Sequence, residues 1–317
     1  MTALPTISLD SQILITGGTG LVGKALVSLL AREGFVAVQA VGSADCDLTD
    51  WPSTLALFEA ARPRYVVHLA ARVYGIMGNM RHKGISFLDN VWINTHVIEA
   101  ARRSGVRKIV AMGSGCVYPY PSPGLPLTES MVWAGPPHPS EDSYAHAKRA
   151  MLAQLVAYHE QYGLPWAFVI SGNLYGPNDR FDPAFGHVIP ALIRKFDEAR
   201  RTGGKVSVWG HGTARRDFTY ADDAAAGLLA ILRDVEGPVN LGSGQVHAIR
   251  EIVDLLSQFN GMSDRVTWDT DKPDGQDYRA YDLSRLFATG FRPNVALAEG
   301  LRRTVAWYAA RAADARG

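Results

Sequence analysis

The stretch "QILITGGTGLVGKALVSLLAREG", residues 12–34, decides the fold. "QILITG" reads as a strand, and "GLVGKALVSLLAREG" as an amphipathic helix closed by Gly34. Between them Gly17, Gly20 and Gly23 are spaced three apart, and Gly18, Gly20 and Gly23 also satisfy G-x-G-x-x-G. Glycine permits a tight turn, close approach of the backbone to a pyrophosphate, and close packing of the helix on the strand. The first turn of the helix then offers free N–H groups to the phosphates. The motif has its strand before it and its helix after it, the context that separates a dinucleotide site from an ordinary glycine turn.

Outward from that turn the alternation continues. "VAVQAV" is a strand, and "DWPSTLALFEAARP" a helix with Asp50 as N-cap and Pro52 in its first turn. "YVVHLAA", "KIVAMG" and "WAFVISGN" are strands, separated by the helices "NVWINTHVIEAARRSG" and "SYAHAKRAMLAQLVAYHEQYG". Strands that are apolar on both faces, alternating with helices, predict an α/β protein with a doubly wound parallel Rossmann-type sheet. Beyond about residue 175 the rhythm changes to a smaller mixed α/β lobe. The helices there are "HVIPALIRKFDEARRTGG", "ADDAAAGLLAILRD", "AIREIVDLLSQFNG" and "ALAEGLRRTVAWYAARAAD", with short strands "KVSVWG" and "PVNLGSG". The expected division is a dinucleotide-binding domain over residues 1–174, with a returning segment at about 217–242. Residues 175–216 and 243–317 mainly form the substrate-binding lobe. The Pro-rich loop at 119–139 is long enough to be either disordered or a lid.

Composition narrows the function. The chain has 317 residues, 47% of them hydrophobic and 20% charged, with 32 Lys and Arg against 31 Asp and Glu. Such a chain builds an ordinary core, and its charge balance gives no footprint for nucleic acid or an anionic membrane. Two cysteines, Cys46 and Cys116, make no disulfide framework, and no Cys/His spacing suggests zinc. The start lacks a secretory pattern, and no apolar run approaches the ~20 residues that span a bilayer. The expected compartment is the cytoplasm.

Two further segments carry chemistry. "SYAHAK" places Tyr144 and Lys148 four apart on one helix face. A nearby ammonium is expected to lower the tyrosine pKa and make the phenol a proton donor or acceptor near neutrality. "GSGCVYP", residues 113–119, puts Ser114 and Cys116 just past a strand. Ser114 can hydrogen-bond a substrate carbonyl. A cysteine in that place is ordinarily a small buried hydrophobe.

The glycine turn, the strand-end serine and "YAHAK" together resemble the extended short-chain dehydrogenase/reductase superfamily. "DLTD", "HLAA", "GSGCVYP", "GPPHPSEDSYAHAKR", "NLYGPND", "GHVIPALIRKF", "VWGHGTARRDF" and "KPDG" are similar to the GDP-L-fucose synthase family, nearly end to end. The resemblance implies a GDP-4-keto-6-deoxy-mannose 3,5-epimerase and 4-reductase. In that reading Cys116 and His187 are the acid–base pair acting at carbons 3 and 5, flanking the ketone. Hydride then passes to carbon 4, Tyr144 protonates the alkoxide, Ser114 polarises the carbonyl, and Lys148 holds the nicotinamide ribose.

The resemblance also implies a set of cofactor contacts. They are Gly17, Thr19, Gly20, Leu21, Val22, Gly23, Ser43, Asp47, Leu48, Leu69, Ala70, Ala71, Tyr144, Lys148, Ser171, Asn173, Leu174 and His187. The cofactor is NADP, with NAD possible. In "VGSADCDLTD" Ser43 can meet a phosphate and Asp45 a ribose hydroxyl, but no lysine or arginine is present, so the residues leave that choice open. Substrate contacts implied are Asn173, Lys195, Trp209, Arg216 and Arg279. "RR" at 215–216 leaves open which arginine turns inward. A GDP-sugar or related NDP-sugar is the expected partner, with no nucleic acid and no membrane, and a homodimer is expected through segments 86–104 and 143–162. The alternatives are an epimerase or reductase on another NDP-4-keto sugar such as a GDP-heptose, or a non-catalytic dinucleotide-binding regulator.

Several positions depart from the family. Tyr74 replaces a glycine, Arg180 an asparagine, and Ser171–Gly172 a Pro-Thr pair, while the basic residue for the NADP phosphate is missing near Ala44. The first three bear on the sugar and the last on the cofactor.

Overall fold

The computed structural model describes residues 7–73, 81–182, 187–272 and 277–314. The first half alternates β1 (Ile13–Thr16), α1 (Leu21–Arg32), β2 (Val38–Val41), α2 (Trp51–Ala61), β3 (Tyr65–His68), α3 (Lys83–Arg103), β4 (Lys108–Met112), α4 (Asp142–Tyr162) and β5 (Trp166–Ser171). The second half holds β6 (Asn173–Tyr175), α5 (Val188–Thr202), β7 (Val206–Trp209), β8 (Arg215–Tyr220), α6 (Ala221–Asp234), β9 (Gly237–Leu241) and β10 (Val246–Ala248). It closes with α7 (Ile249–Asn260), β11 (Val266–Asp269), β12 (Tyr278–Arg279), α8 (Ser284–Phe287) and α9 (Leu297–Asp314).

The main sheet has the order β2-β1-β3-β4-β5-β9. Every neighbouring pair in it is parallel. β1, β3, β4 and β5 are buried along their whole length. That is why they read as continuous apolar runs rather than as alternating patterns. Helices cover both faces. α1 and α6 supply Leu26, Leu30, Leu228 and Ile231 to one core. α2, α3 and α4 supply Phe58, Val97, Ile98, Leu152 and Leu155 to the other. The strand order reverses at β1, with β2 on one side and β3 on the other, so a crevice opens beyond the carboxyl ends of β1 and β3.

Local signals explain several boundaries. Asp50 caps α2 by accepting from the Ser53 N–H at 2.9 Å. Gly163, Gly203 and Gly261 end α4, α5 and α7 in the left-handed region. Lys108 is buried, and its ammonium donates to the Ile231 and Leu232 carbonyls at 2.7 and 2.9 Å, joining β4 to the last turn of α6.

The second half packs around its own core of Leu192, Phe196, Ile252, Leu256 and Leu301. Its strands form the order β10-β8-β12, with β6 also on β8, and a separate β11–β7 pair. β8 escapes a reading by hydrophobicity because "RRDFTY" begins with three charges. Asp217 is nonetheless buried there, and accepts from the Ser243 and Gly244 N–H groups at 2.8 Å each.

The loop after β4 is packed. Leu127 and Val132 are buried. The Leu127 N–H donates to the Ala280 carbonyl and the Asp282 N–H to the Leu127 carbonyl, both at 2.9 Å. Arg149 of α4 donates to the carbonyls of Val117 and Gly135 at 2.8 Å each, fixing both ends of the loop to one helix.

Candidate active site

The crevice begins at the glycine turn. Gly17 has φ +75, and a Cβ there would lie 2.7 Å from the Ala70 nitrogen. A Cβ at Gly23 would collide with the Gly17 carbonyl and the Gly18 backbone. Both glycines are therefore required by protein packing. Gly20 differs: a Cβ there would meet nothing nearer than 3.4 Å, and as N-cap of α1 it offers no side-chain cap. No acidic residue stands in the first turn of α1. A helix start left open on its solvent side and free of carboxylates fits a pyrophosphate. Thr19 and Gly20 are exposed here, Leu21 and Val22 half-buried.

The strands beside β1 complete this side. The Leu69 N–H donates to the Thr16 carbonyl at 2.9 Å, and Leu69, Ala70 and Ala71 continue past β3 half-buried. Beyond β2, Ser43 and Asp47 are exposed, whereas the Leu48 side chain belongs to the core and leaves only its backbone to a ligand. Asp45 turns back on its own turn, accepting from the Gly42 N–H at 2.7 Å. Asp47 likewise accepts from the Thr49 N–H and hydroxyl, and Arg72 faces it.

The second part of the site is the end of β4. Ser114 caps a 3-10 turn over Gly115–Val117, its hydroxyl accepting from the Cys116 N–H at 3.4 Å. Cys116 is 4% exposed and clusters with Tyr144, Ala145 and Ala71. The thiol and the phenol thus share one wedge with the chain that leaves β3. Burial pushes the Cys116 thiol up to about 12, and Glu141 adds to the rise, while Ser114, Arg279 and Lys148 oppose it.

Lys148 donates to the Met112 carbonyl at 2.9 Å, and its ammonium lies 5.8 Å from the Tyr144 ring centroid. The expectation that Lys148 lowers the Tyr144 pKa is corrected here. Tyr144 is pushed up, first by burial and then by Cys116 and Glu141, and burial brings Lys148 itself down to about 8. Both groups lie deep in one dry wedge, where the loss of hydration outweighs an attraction across that distance.

The remaining residues come from the second half. Ser171 ends β5, and Asn173 and Leu174 lie in β6, half-buried. Asn173, Leu174 and His187 line one small cleft with Tyr175, Val188 and Phe218. His187 is exposed at the N-cap of α5 and does not cap that helix with its side chain. Arg216 and Arg279 are register partners on β8 and β12. Arg216 is half-buried and faces Arg279, Tyr281 and Glu141; burial and then Arg279 bring it down to about 10. Arg215 is the outward arginine, exposed and donating to the Val246 carbonyl at 3.3 Å. Lys195 and Trp209 form a pair of their own on the lobe. The ammonium sits 5.9 Å from the indole centroid and donates to the Ser207 carbonyl at 2.9 Å, and Trp209 is 51% exposed.

Two residues join the site that the sequence did not single out. Tyr281 is buried with its hydroxyl against Gly115, where a Cβ would collide with it, and its ring 3.1 Å from where a Cβ on Gly172 would sit. Arg279 hydrogen-bonds Tyr281. The departure at Gly172 thus has a physical reason: the Tyr281 ring occupies that space. Glu141, three residues before Tyr144, acts on Cys116, Tyr144, Arg216 and Arg279 alike. The i, i+3 spacing on one helix face was its signal. Tyr74 and most of "KPDG" lie outside the described residues.

Residues 13–242 match the model of the NAD dependent epimerase/dehydratase family. The chain is 38% identical over 301 residues to a probable GDP-L-fucose synthase 1 of Oryza sativa subsp. japonica, covering 94% of this chain and 92% of that one. A GDP-L-fucose synthetase from Naegleria fowleri bound to NADP superposes with a TM-score of 0.90 at 32% identity, over 100% of this chain and 98% of the other. A GDP-D-glycero-L-gluco-heptose synthase from Campylobacter jejuni, in the presence of NADPH, gives a TM-score of 0.87 at 25% identity, over 96% and 100%.

Proposed function

The chain belongs to the NAD dependent epimerase/dehydratase family, and on that premise we propose that it epimerises a GDP-4-keto-6-deoxy-hexose at carbons 3 and 5 and then reduces carbon 4. The observation that carries this reading is the shared buried cluster of Cys116 and Tyr144, packed against Ala71 where the chain leaves β3. A reductase needs the phenol alone; a thiol in the same wedge adds a second acid–base group. The names of the Oryza and Naegleria relatives support the same activity.

The cofactor is NADPH. The open face at Gly20 and the first N–H groups of α1 hold its pyrophosphate. Asp45 spends one carboxylate oxygen on the Gly42 N–H, and Ser43 stands exposed beside it for a phosphate. When bound, the reduced dinucleotide supplies the two-electron reduction of the ketone at carbon 4.

The chain's own residues do the rest. The ketone acidifies the protons on carbons 3 and 5, and Cys116 and His187 remove and return them. Burial keeps Cys116 a thiol in the ligand-free protein, while Arg279 and Lys148 favour the thiolate against Glu141. Tyr144, with its pKa pushed up, is a firmly protonated phenol and gives its proton to the alkoxide at carbon 4. The Ser114 hydroxyl donates to the carbonyl oxygen, and Arg216 and Arg279 grip the diphosphate. Lys195 and Trp209 meet the outer part of the nucleotide.

Two copies associate through α3 and α4, which present Ile85, Leu88, Trp92, Val156 and Tyr162 to solvent in one chain. Among the described residues no helix is long and apolar enough to cross a membrane, and the enzyme works in the cytoplasm.

The test is incubation with GDP-4-keto-6-deoxy-mannose and NADPH or NADH, with GDP-4-keto-heptose as a second substrate. Absorbance at 340 nm should decay, faster with NADPH. Deuterium from solvent should enter carbons 3 and 5. An absence of decay with every GDP-4-keto sugar would sink the reductase, and an absence of exchange the epimerase.

A further inference from the structure

Among the described residues, three buried titratable groups outside the Cys116 wedge are fully engaged. His68 meets the Thr16 hydroxyl at 2.7 Å and the Asn94 carbonyl oxygen at 3.1 Å. Lys108 holds two carbonyls. Asp217 takes two N–H groups and the Thr219 hydroxyl. Asp179, half-buried as a residue, is not engaged in this way. Its Oδ1 accepts from the Arg180 N–H at 2.7 Å, but its Oδ2 is shut off from water with no hydrogen-bond partner. A buried carboxylate oxygen left without a donor is costly, more so than the buried hydroxyls of Ser143 and Ser257.

The turn that carries this carboxylate is fixed rather than loose. Asn178 adopts φ +67, and its side-chain oxygen accepts from the Lys24 ammonium of α1 at 3.0 Å. The same turn is tied to α5 two residues on, where Arg194 donates to the Phe181 carbonyl at 3.2 Å. His187 does not spend its ring on capping α5. The two side chains interact electrostatically: burial raises the Asp179 pKa, and a charge on His187 opposes the rise.

We propose that Asp179 is the positioning residue for His187: its free oxygen takes one ring N–H and leaves the opposite nitrogen facing the sugar. The inference rests on the reading of His187 as an acid–base group at carbons 3 and 5. A carboxylate behind an imidazole selects one tautomer, fixes the ring plane and favours the imidazolium. The other charged side chains around this turn, among the described residues, are Lys24, Arg180, Asp182 and Arg194. Lys24 is committed to Asn178, and Arg194 donates to the Phe181 carbonyl at 3.2 Å. Arg180 and Asp182 also have partners. The role explains why an aspartate rather than an asparagine ends "GPND": only a carboxylate accepts at both oxygens.

The experiment uses full-length protein with 15N-labelled histidine, the His187 ring signals assigned through His187→Gln. In the wild type the ring should show one tautomer, with a hydrogen-bonded N–H shifted downfield. Asp179→Asn should give mixed tautomers and lose that shift, and Asp179→Glu should restore most of it. In parallel, solvent deuterium exchange at carbons 3 and 5 should fall roughly 100-fold in Asp179→Asn, within the span of a general acid–base contribution. NADPH affinity should not change. A wild-type ring of mixed tautomers, or a signature unchanged in Asp179→Asn, overturns the proposal. Should Asp179→Asn fail to fold, the wild-type signature and Asp179→Glu still decide it. Should the wild type exchange nothing, the epimerase reading fails while the ring signals still report on the pair.

Discussion

The turn after β1 and the turn after β4 both carry glycines, and both leave the carboxyl edge of the same sheet. They are held in opposite ways. The first is built from its own neighbourhood: Gly17 against Ala70, Gly23 against Gly17 and Gly18, with Gly20 alone left open. The second is built from side chains that arrive from far along the chain. Tyr281 presses on Gly115, Arg279 bonds Tyr281, and Tyr144 closes over Cys116. A backbone cradle is written in local spacing, and such spacing survives in a single sequence. A cradle of side chains is written in tertiary packing, and no short motif records it.

The two turns can be perturbed separately. Tyr144→Phe removes chemistry from the second turn and leaves the first intact. Reduction of carbon 4 should fall about 1000-fold, within the range of a general acid, with NADPH binding unchanged by fluorescence titration. A comparable loss of NADPH affinity would mean that the two turns are not separable. Gly23→Ala attacks the first turn. It forces a methyl into the Gly17 carbonyl and should cost about 3 kcal/mol, the upper part of the overpacking range, read as a lower denaturant midpoint. A midpoint within experimental error of wild type would show that the helix can slide off the turn.

The smallest effect sharpens the contrast in solvation. In a Cys46→Ser background, alkylation of Cys116 by iodoacetamide should be slow at pH 7 and still climbing at pH 10, by up to tenfold per unit, because only the thiolate reacts and burial pushes the thiol up to about 12. A plateau near pH 8 would place the sulfur in a wet, open pocket and undo the account of the dry wedge.

Legibility in the sequence followed the same divide. The parallel sheet, the Asp50 cap and the glycine turn were readable because each depends on residues within a few positions of one another. Tyr144 and Lys148 were readable as a helical pair, but the direction of their pKa shifts was not, since burial is a property of the packed wedge. The strand Arg215–Tyr220 was hidden by its leading charges, although its inner half is buried. Tyr281 left no trace, because the glycines it fills lie more than a hundred residues upstream. Asp179 carries no signal in the sequence, because the burial of its second oxygen belongs to the folded turn.

Arg149 ties both ends of the loop after β4 to the helix that bears Tyr144 and Lys148. The bend between these anchors, residues 121–126, is largely exposed. Drift in length, a fused epitope or a spectroscopic probe therefore belongs in that bend, where added chain can balloon outward while the stitched margins hold the catalytic helix still.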